Sequence, residues 1–148
     1  KENLHLTLVF LGYVPDVELL EIFERIKKVA KRHQPFSLNF NRICLGPPEK
    51  PPRMFWVEGE KNKELSLLRA DLEKELTEFQ LENKLREFKP HITLGRIQME
   101  QWRQIEKKPK IEENISLNLP VNSIEIMESQ LKREGPEYTV LESLKLGE

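Results

Sequence analysis

Residues 5–8 read HLTL and residues 91–94 read HITL, so the chain uses one His-apolar-Thr-Leu frame twice. The chain contains 3 histidines, and two of them head these tetrapeptides. With ordinary residue frequencies, a given histidine would match this frame by chance about once in several hundred tries. The doubled tetrapeptide is therefore the strongest signal in the sequence, and the prediction of the fold starts from it.

The first copy has the alternation of a β-strand, in which successive side chains point to opposite faces. If residues 3–11 form a strand, His5, Thr7 and Val9 share one face. The opposite face is apolar and consists of Leu4, Leu6, Leu8 and Phe10. We predict a motif strand whose apolar face packs into a core and whose other face presents an imidazole beside a hydroxyl.

The second copy predicts the same arrangement for His91 and Thr93. Two such strands lining one groove would bring together two imidazoles and two hydroxyls. Histidine ionises near neutral pH, so one ring can take a proton from a nucleophile while the other gives one to a leaving oxygen. Threonine hydroxyls donate hydrogen bonds to phosphate oxygens. The pair predicts acid–base catalysis at phosphorus with no metal or other cofactor, and either histidine can be the base.

Two simpler readings compete with this one. A single His-x-Thr in a strand is usually only a hydrogen-bonded polar pair, but two copies in corresponding places favour a functional role. Zinc normally needs three or four protein ligands, and Cys44 and His33 have no metal-ligand spacing to either motif. We expect His33 to be a surface or helix-capping residue.

Composition limits the possible partners and surroundings. The formal net charge of −1 over 148 residues does not favour a broad nucleic-acid-binding surface, so any attraction for phosphate must be local. Cys44 is the only cysteine, which excludes an internal disulfide framework and predicts a reducing, cytoplasmic location. No apolar run is long enough to span a membrane, and no signal peptide opens the sequence.

The apolar spacing predicts helices at residues 16–32, 62–79 and 99–107. Alternation predicts strands at residues 36–45, 53–59, 91–97, 115–119, 121–131 and 138–146. We expect Asp16 to cap the first helix, and Trp102 and Ile105 to point inward from the third. Residues 46–52 hold four prolines and predict an exposed loop, and residues 80–89 predict a polar connection. The two halves repeat the order motif strand, helix, strand, turn, strand, which predicts a duplicated unit with pseudo-two-fold symmetry.

At this point the residues resemble a known family. The matching segments read ENLHLTLVFLG at 2–12, KPHITLGR at 89–96 and GPEY at 135–138. They resemble the 2H phosphoesterase superfamily with its HxTx motifs, and within it the RNA 2′,3′-cyclic phosphodiesterases, also called 2′-5′ RNA ligases or LigT-like proteins. The resemblance implies an α+β, bilobal fold with antiparallel sheets around a central cleft and helices on the outside. It implies a single domain over residues 1–148 that lacks the strand and helix which precede the first motif in the family.

The resemblance also implies an activity and a set of site residues. The activity is hydrolysis of 2′,3′-cyclic phosphate ends of RNA or nucleotides to 2′-phosphates, with reversible, metal-independent 2′-5′ ligation in some members. The implied catalytic pair is His5 and His91, and the implied phosphate-binding residues are Thr7, Thr93 and Arg96. Strict alternation would turn Arg96 away from the groove, but a β-bulge at Gly95 would re-aim it.

Other functions remain open at this stage. The same fold can serve as a noncatalytic module that binds RNA ends or nucleotides. A different cyclic phosphate, such as an ADP-ribose cyclic phosphate, is a further candidate substrate. Phe10, Phe55 and Trp56 can stack on a base, although core packing is the simpler role for them.

Overall fold

The structure, a computed structural model, describes residues 4–48, 51–79, 88–133 and 135–148. Its helices are α1 (Asp16–Arg32), α2 (Lys63–Glu75) and α3 (Met99–Gln104). Its strands are β1 (Phe36–Gly46), β2 (Met54–Gly59), β3 (His91–Arg96), β4 (Glu112–Val121), β5 (Ser123–Lys132) and β6 (Gly135–Lys145). Residues 49–50 of the predicted loop and residues 80–87 of the predicted polar connection lie outside the described residues.

Helix α1 has the predicted bounds, but its cap is different. Pro15 is the N-cap, and its carbonyl accepts a hydrogen bond from the backbone N–H of Glu18 at 2.9 Å. Asp16, the predicted cap, is the first helical residue. Its negative charge still suits this end, where the helix dipole is positive. The buried face, with Ile22 and Val29 at its centre, follows the predicted apolar spacing.

Helices α2 and α3 end earlier than the spacing predicts. After Glu75, Leu76 and Phe79 remain packed in or against the core. The backbone N–H of Phe79 bonds to the carbonyl of Leu76 at 3.0 Å, so turns of three-residue spacing keep the apolar side inward without a regular helix. The predicted inward position of Ile105 is wrong, since that side chain is 40% exposed.

The early end of α3 has a local cause. The Lys108 ammonium donates hydrogen bonds to the carbonyls of Trp102 and Ile105. These bonds satisfy carbonyl groups that a helix leaves unpaired at its C-terminus. Trp102 itself is buried as predicted, with 9% of its surface exposed.

The chain forms two compact units that draw on interleaved segments. The first unit consists of Lys1–Thr7, Leu38–Lys61 and Lys89–Leu119. The second consists of Leu8–Ser37, Asn62–Phe88 and Pro120–Glu148. Each unit therefore takes segments from both halves of the sequence.

The second unit contains α1 and α2 with the antiparallel pair β5 and β6. Its core is aliphatic. The buried members of that core are Ile22, Ile26, Val29, Ala30, Leu68, Leu72, Leu76, Ile124, Ile126, Leu144 and Leu146. Leu8, Val9 and Leu11 pack against this cluster from the stretch that follows the first motif.

The first unit is built on a four-stranded sheet with the order β3-β2-β1-β4. Strand β2 is antiparallel to both β1 and β3. The register of β1 on β2 shifts between Phe40 and Arg42, so Asn41 is the extra residue of a bulge. Because of this bulge, Phe40 and Arg42 lie on opposite faces of the sheet although they are two residues apart.

The predicted first motif strand is wrong. Residues 4–11 form an isolated bridge at Phe10 and no continuous strand, and the backbone bends at Leu8. The bend ends the two-residue alternation. As a result Val9, which the alternation places on the same face as His5, packs on the core of the second unit instead. Alternation reports which side chains are apolar, whereas a strand also needs a neighbouring backbone to pair with.

The described strands and helices confirm the α+β class with antiparallel sheets. Five of the six predicted strands outside the first motif keep their places within a few residues, and β4 is longer than predicted. None of the helices described here is long and apolar enough to cross a membrane.

Candidate active site

The five residues predicted to form the site fall within the first compact unit. They are His5, Thr7, His91, Thr93 and Arg96. The unit boundary follows directly after Thr7, at the bend of the backbone. His5 is half-buried and Thr7 is exposed. The first motif therefore lies in an irregular segment, whereas the second motif lies on strand β3.

The register of β3 on β2 defines the face of the sheet that carries the second motif. His91 is opposite Glu58, and Thr93 is opposite Trp56. Directly opposed residues in a sheet point to the same side, so these four side chains share one face, called here the His91 face. Ile92, opposite Val57, is on the other face.

A bulge in β3 brings Arg96 to the His91 face. The register shifts between the pairs Trp56–Thr93 and Phe55–Gly95, which leaves Leu94 as the extra residue. Arg96 is therefore opposite Met54, which is two residues from Trp56 and on the same face. Strict alternation would have turned this guanidinium away, and the shift next to Gly95 reverses that direction.

The imidazole of His91 makes two contacts, a hydrogen bond at one ring nitrogen and a stack against an aromatic ring. Its Nδ1 lies 2.8 Å from the carbonyl oxygen of Lys89. A carbonyl only accepts, so Nδ1 carries the proton and Nε2 is the nitrogen that can exchange one. The ring also stacks on the indole of Trp56, with 4.0 Å between centroids and an interplanar angle of 25°.

Thr93 has a weak hydrogen-bond partner. Its hydroxyl donates to the sulfur of Met54 across 3.8 Å. A thioether is a weak acceptor, so this hydroxyl can turn to a phosphate oxygen at small cost. The structure thus provides a donor that an anionic ligand can recruit.

An ion pair lies next to His91 across the strands. Arg42 donates to Glu58 at 2.6 Å and to Glu112 at 3.3 Å. The Glu58 side chain is only 13% exposed, so its negative charge needs this partner. Arg42 neutralises a carboxylate that would otherwise repel any anion approaching the same face.

Cys44 lies on the His91 face as well, since it is opposite Trp56 on β1. Burial, and then the negative charge of Glu58, raises the pKa of the Cys44 thiol above its ordinary value. The thiol also donates to the Glu58 carboxylate at 3.7 Å. A thiol that resists ionisation is a poor nucleophile, so this environment does not favour Cys44 as a nucleophile.

A depression of about 490 Å³ opens on the first unit. Its lining residues are Asn41, Arg42, Glu58, Gly59, Asn114 and Ile115. Neither His5 nor His91 lines this depression. The depression is therefore separate from the His91 imidazole, although two of its lining residues, Arg42 and Glu58, lie on the His91 face.

The motif residues are evident in the sequence, whereas the groups that contact the His91 ring are not. The sequence predicts Trp56 in the core, and the residue is only 7% exposed. Its contact with His91 depends on the register of β2 on β3, which the sequence does not show. Lys89 acts through its backbone carbonyl, which no side-chain pattern reveals. Within residues 4–48, 51–79, 88–133 and 135–148, no three His, Cys, Asp or Glu side chains group so as to hold a metal ion. His33 is the C-cap of α1, and its Nε2 lies 2.8 Å from Asp71, which agrees with the predicted capping role.

Comparison with known proteins gives one family. The sequence model of the 2′-5′ RNA ligase superfamily matches residues 1–133. A protein of Thermus thermophilus named RNA 2′,3′-cyclic phosphodiesterase is 34% identical over 150 residues, covering 97% of this chain and 72% of the relative. A protein of the same name from Thermotoga maritima is 33% identical over 146 residues, covering 95% of this chain and 74% of the relative.

A solved structure agrees with these matches. The crystal structure of the Thermus thermophilus protein TT0787 superposes with a TM-score of 0.78 and 32% sequence identity. The match covers 97% of this chain and 78% of that one. This chain therefore shares its fold with a solved protein from the same organism as one of its sequence relatives.

Proposed function

Because the chain belongs to the 2′-5′ RNA ligase superfamily, we propose that it hydrolyses 2′,3′-cyclic phosphate ends of RNA or nucleotides to 2′-phosphates. The observation that carries this proposal is the presence of both His-x-Thr motifs in one compact unit, although they are far apart in sequence. Relatives at 33% and 34% identity that are named RNA 2′,3′-cyclic phosphodiesterase support the same substrate class.

The proposed reaction needs two proton transfers and one displacement. Water attacks phosphorus, and the bond from phosphorus to the 3′ oxygen breaks. One imidazole of the pair His5 and His91 takes the proton from water, and the other gives a proton to the departing 3′ oxygen. In His91 the proton would be transferred at Nε2, because Nδ1 donates a hydrogen bond to the Lys89 carbonyl. One imidazole takes up the proton that water loses, and the other supplies the proton that the 3′ oxygen gains, so the scheme requires no metal-bound nucleophile.

The remaining motif residues would stabilise charge on the phosphate. The hydroxyls of Thr7 and Thr93 would donate to non-bridging oxygens, and Arg96 would supply a positive charge. If the 5′ hydroxyl of another RNA replaces water, the same bond changes form a 2′-5′ linkage. Ligation and hydrolysis would therefore use one site.

The decisive experiment compares three histidine variants on a 2′,3′-cyclic mononucleotide and on an RNA with a cyclic phosphate end. We expect His5→Ala and His91→Ala each to lower kcat/KM by about 10²-fold or more, the usual contribution of a general acid or base. His33→Ala is the matched control, because His33 lies in the second unit and contacts Asp71. It should retain the activity of the unchanged protein.

Further measurements separate this mechanism from its rivals. The unchanged protein should show a bell-shaped dependence of kcat/KM on pH, with one imidazole neutral and one protonated. EDTA should leave the rate unchanged. Full activity in either motif variant, or a loss on chelation that a metal restores, would contradict the proposal. Tight binding of cyclic phosphate ends without turnover would instead identify a noncatalytic binding module.

A further inference from the structure

Trp56 stands between two strands that each contact its indole. It lies on β2, between β1 and β3 in the sheet. On one side, the ring stacks on His91 of β3 at 4.0 Å. On the other side is Gly46 of β1, where an added Cβ would lie 2.2 Å from indole Cδ2 and 2.4 Å from Cε2. The indole is therefore in close contact with the backbone of β1, and only glycine leaves room for it there.

Core packing alone does not account for a tryptophan at this position. Its Nε1 is buried and has no hydrogen-bond partner among the residues that the structure describes. A buried donor without a partner is unfavourable, and phenylalanine would fill an apolar space without one. The feature that the larger ring adds is an extended face, and that face lies on the imidazole of His91.

The two contacts of His91 restrain different motions of its ring. The hydrogen bond from Nδ1 to the Lys89 carbonyl holds one edge of the ring. This hydrogen bond still allows the ring to rotate about that edge, and the stack on Trp56 prevents this rotation. Proton transfer at Nε2 depends on this orientation, because an error of about 1 Å in a reacting group can lower a rate by as much as about 10²-fold.

We propose that Trp56, supported from behind by Gly46, is a positioning residue that fixes the plane of the His91 imidazole for proton transfer. The proposal rests on the catalytic role of His91 put forward above. Trp56 itself touches neither water nor substrate in this scheme. It acts through the ring on which it stacks.

The test compares Trp56→Leu, Trp56→Phe and a control, Val57→Ala. Val57 is the next residue on β2, is 7% exposed and points to the opposite face, so its truncation weakens the same sheet without touching His91. On a 2′,3′-cyclic mononucleotide, we expect Trp56→Leu to lower kcat by about tenfold or more, within the range known for misplaced groups, with little change in KM. Trp56→Phe, which keeps a smaller aromatic face, should recover only part of that loss, and Val57→Ala should keep the kcat of the unchanged protein.

Proton and nitrogen NMR of the His91 ring gives a readout independent of turnover. In the unchanged protein, its carbon-bound ring protons should be shifted upfield by the indole and show nuclear Overhauser contacts with Trp56. Its nitrogen shifts should report a proton on Nδ1 in the neutral ring. In Trp56→Leu the upfield shift should vanish.

The outcomes separate this inference from the proposed function. If no cyclic phosphate is turned over, the proposed function fails, while the NMR contacts still decide whether Trp56 orients His91. Absence of those contacts in the unchanged protein overturns the inference, even if Trp56→Leu does not fold. A folded Trp56→Leu with undiminished kcat also overturns it, as does an equal loss of kcat in Val57→Ala.

Discussion

Substitution of Gly46 by alanine tests the close approach of β1 to the Trp56 indole. The added methyl carbon would lie 2.2 to 2.5 Å from three carbons of the Trp56 indole. Ordinary carbon–carbon contacts are about 3.5–4.0 Å, so the ring or its strand must move by about 1.3 Å or more. The indole is only 7% exposed, so it cannot simply swing into solvent.

The expected magnitude follows from this overlap. Overpacking a filled core costs about 1–3 kcal/mol, and three simultaneous ring contacts place Gly46→Ala in the upper part of that range. We therefore expect a loss of about 2–3 kcal/mol in the free energy of unfolding. For a chain of this size, that corresponds to a fall of about 4–12 °C in Tm.

The assay is urea unfolding followed by far-UV circular dichroism, because tryptophan fluorescence would report the moved ring as well as unfolding. Gly95→Ala is the matched control. A Cβ at Gly95 would meet only Phe55, at 4.0 Å, so its unfolding free energy should change by less than about 0.5 kcal/mol, as at an unstrained site. Equal stabilities of Gly46→Ala and Gly95→Ala would refute the reasoning.

Two further predictions concern groups on the His91 face. Burial raises the pKa of the Cys44 thiol, so iodoacetamide should alkylate it more slowly in the native protein than in urea at pH 8. The pKa of the Cys44 thiol is higher in the folded protein than in the unfolded chain. Its contribution to the free energy of unfolding is therefore complete below the unfolded pKa and is lost as the pH rises through the folded pKa. Urea unfolding curves recorded on either side of pH 9 would detect this loss. Thr93→Val should lower kcat/KM by about 10- to 100-fold, because a hydrogen bond to a charged group contributes about 1.5–3 kcal/mol. Thr93→Ser should keep most of the activity, and an unchanged rate in Thr93→Val would show that the hydroxyl does not bind the phosphate.

Much of the secondary structure was predictable because it depends on neighbours along the chain. The apolar residues of α1 recur at helical spacing, and the helix has the predicted bounds. Phe36, Leu38 and Phe40 alternate with polar residues, and they point inward from β1 as expected. Long, regular patterns of this kind leave few competing structures.

The departures occur where the pattern was short or a distant partner decided the outcome. The first motif alternates as cleanly as the second, yet the backbone bends at Leu8 and only the second motif forms a strand. In β3, the sequence allows two directions for Arg96, and the bulge before Gly95 decides between them. Whether it forms depends on how β3 pairs with β2, which no local pattern records.

The amino-acid sequence by itself determined which groups the repeated frame provides, namely two imidazoles and two hydroxyls. These properties belong to residue types and to spacings along the chain. Only the tertiary structure decided that Trp56 stacks on the His91 ring and that Arg96 shares its face. Each of these depends on strand register, and register is set by contacts between segments that are remote in the sequence.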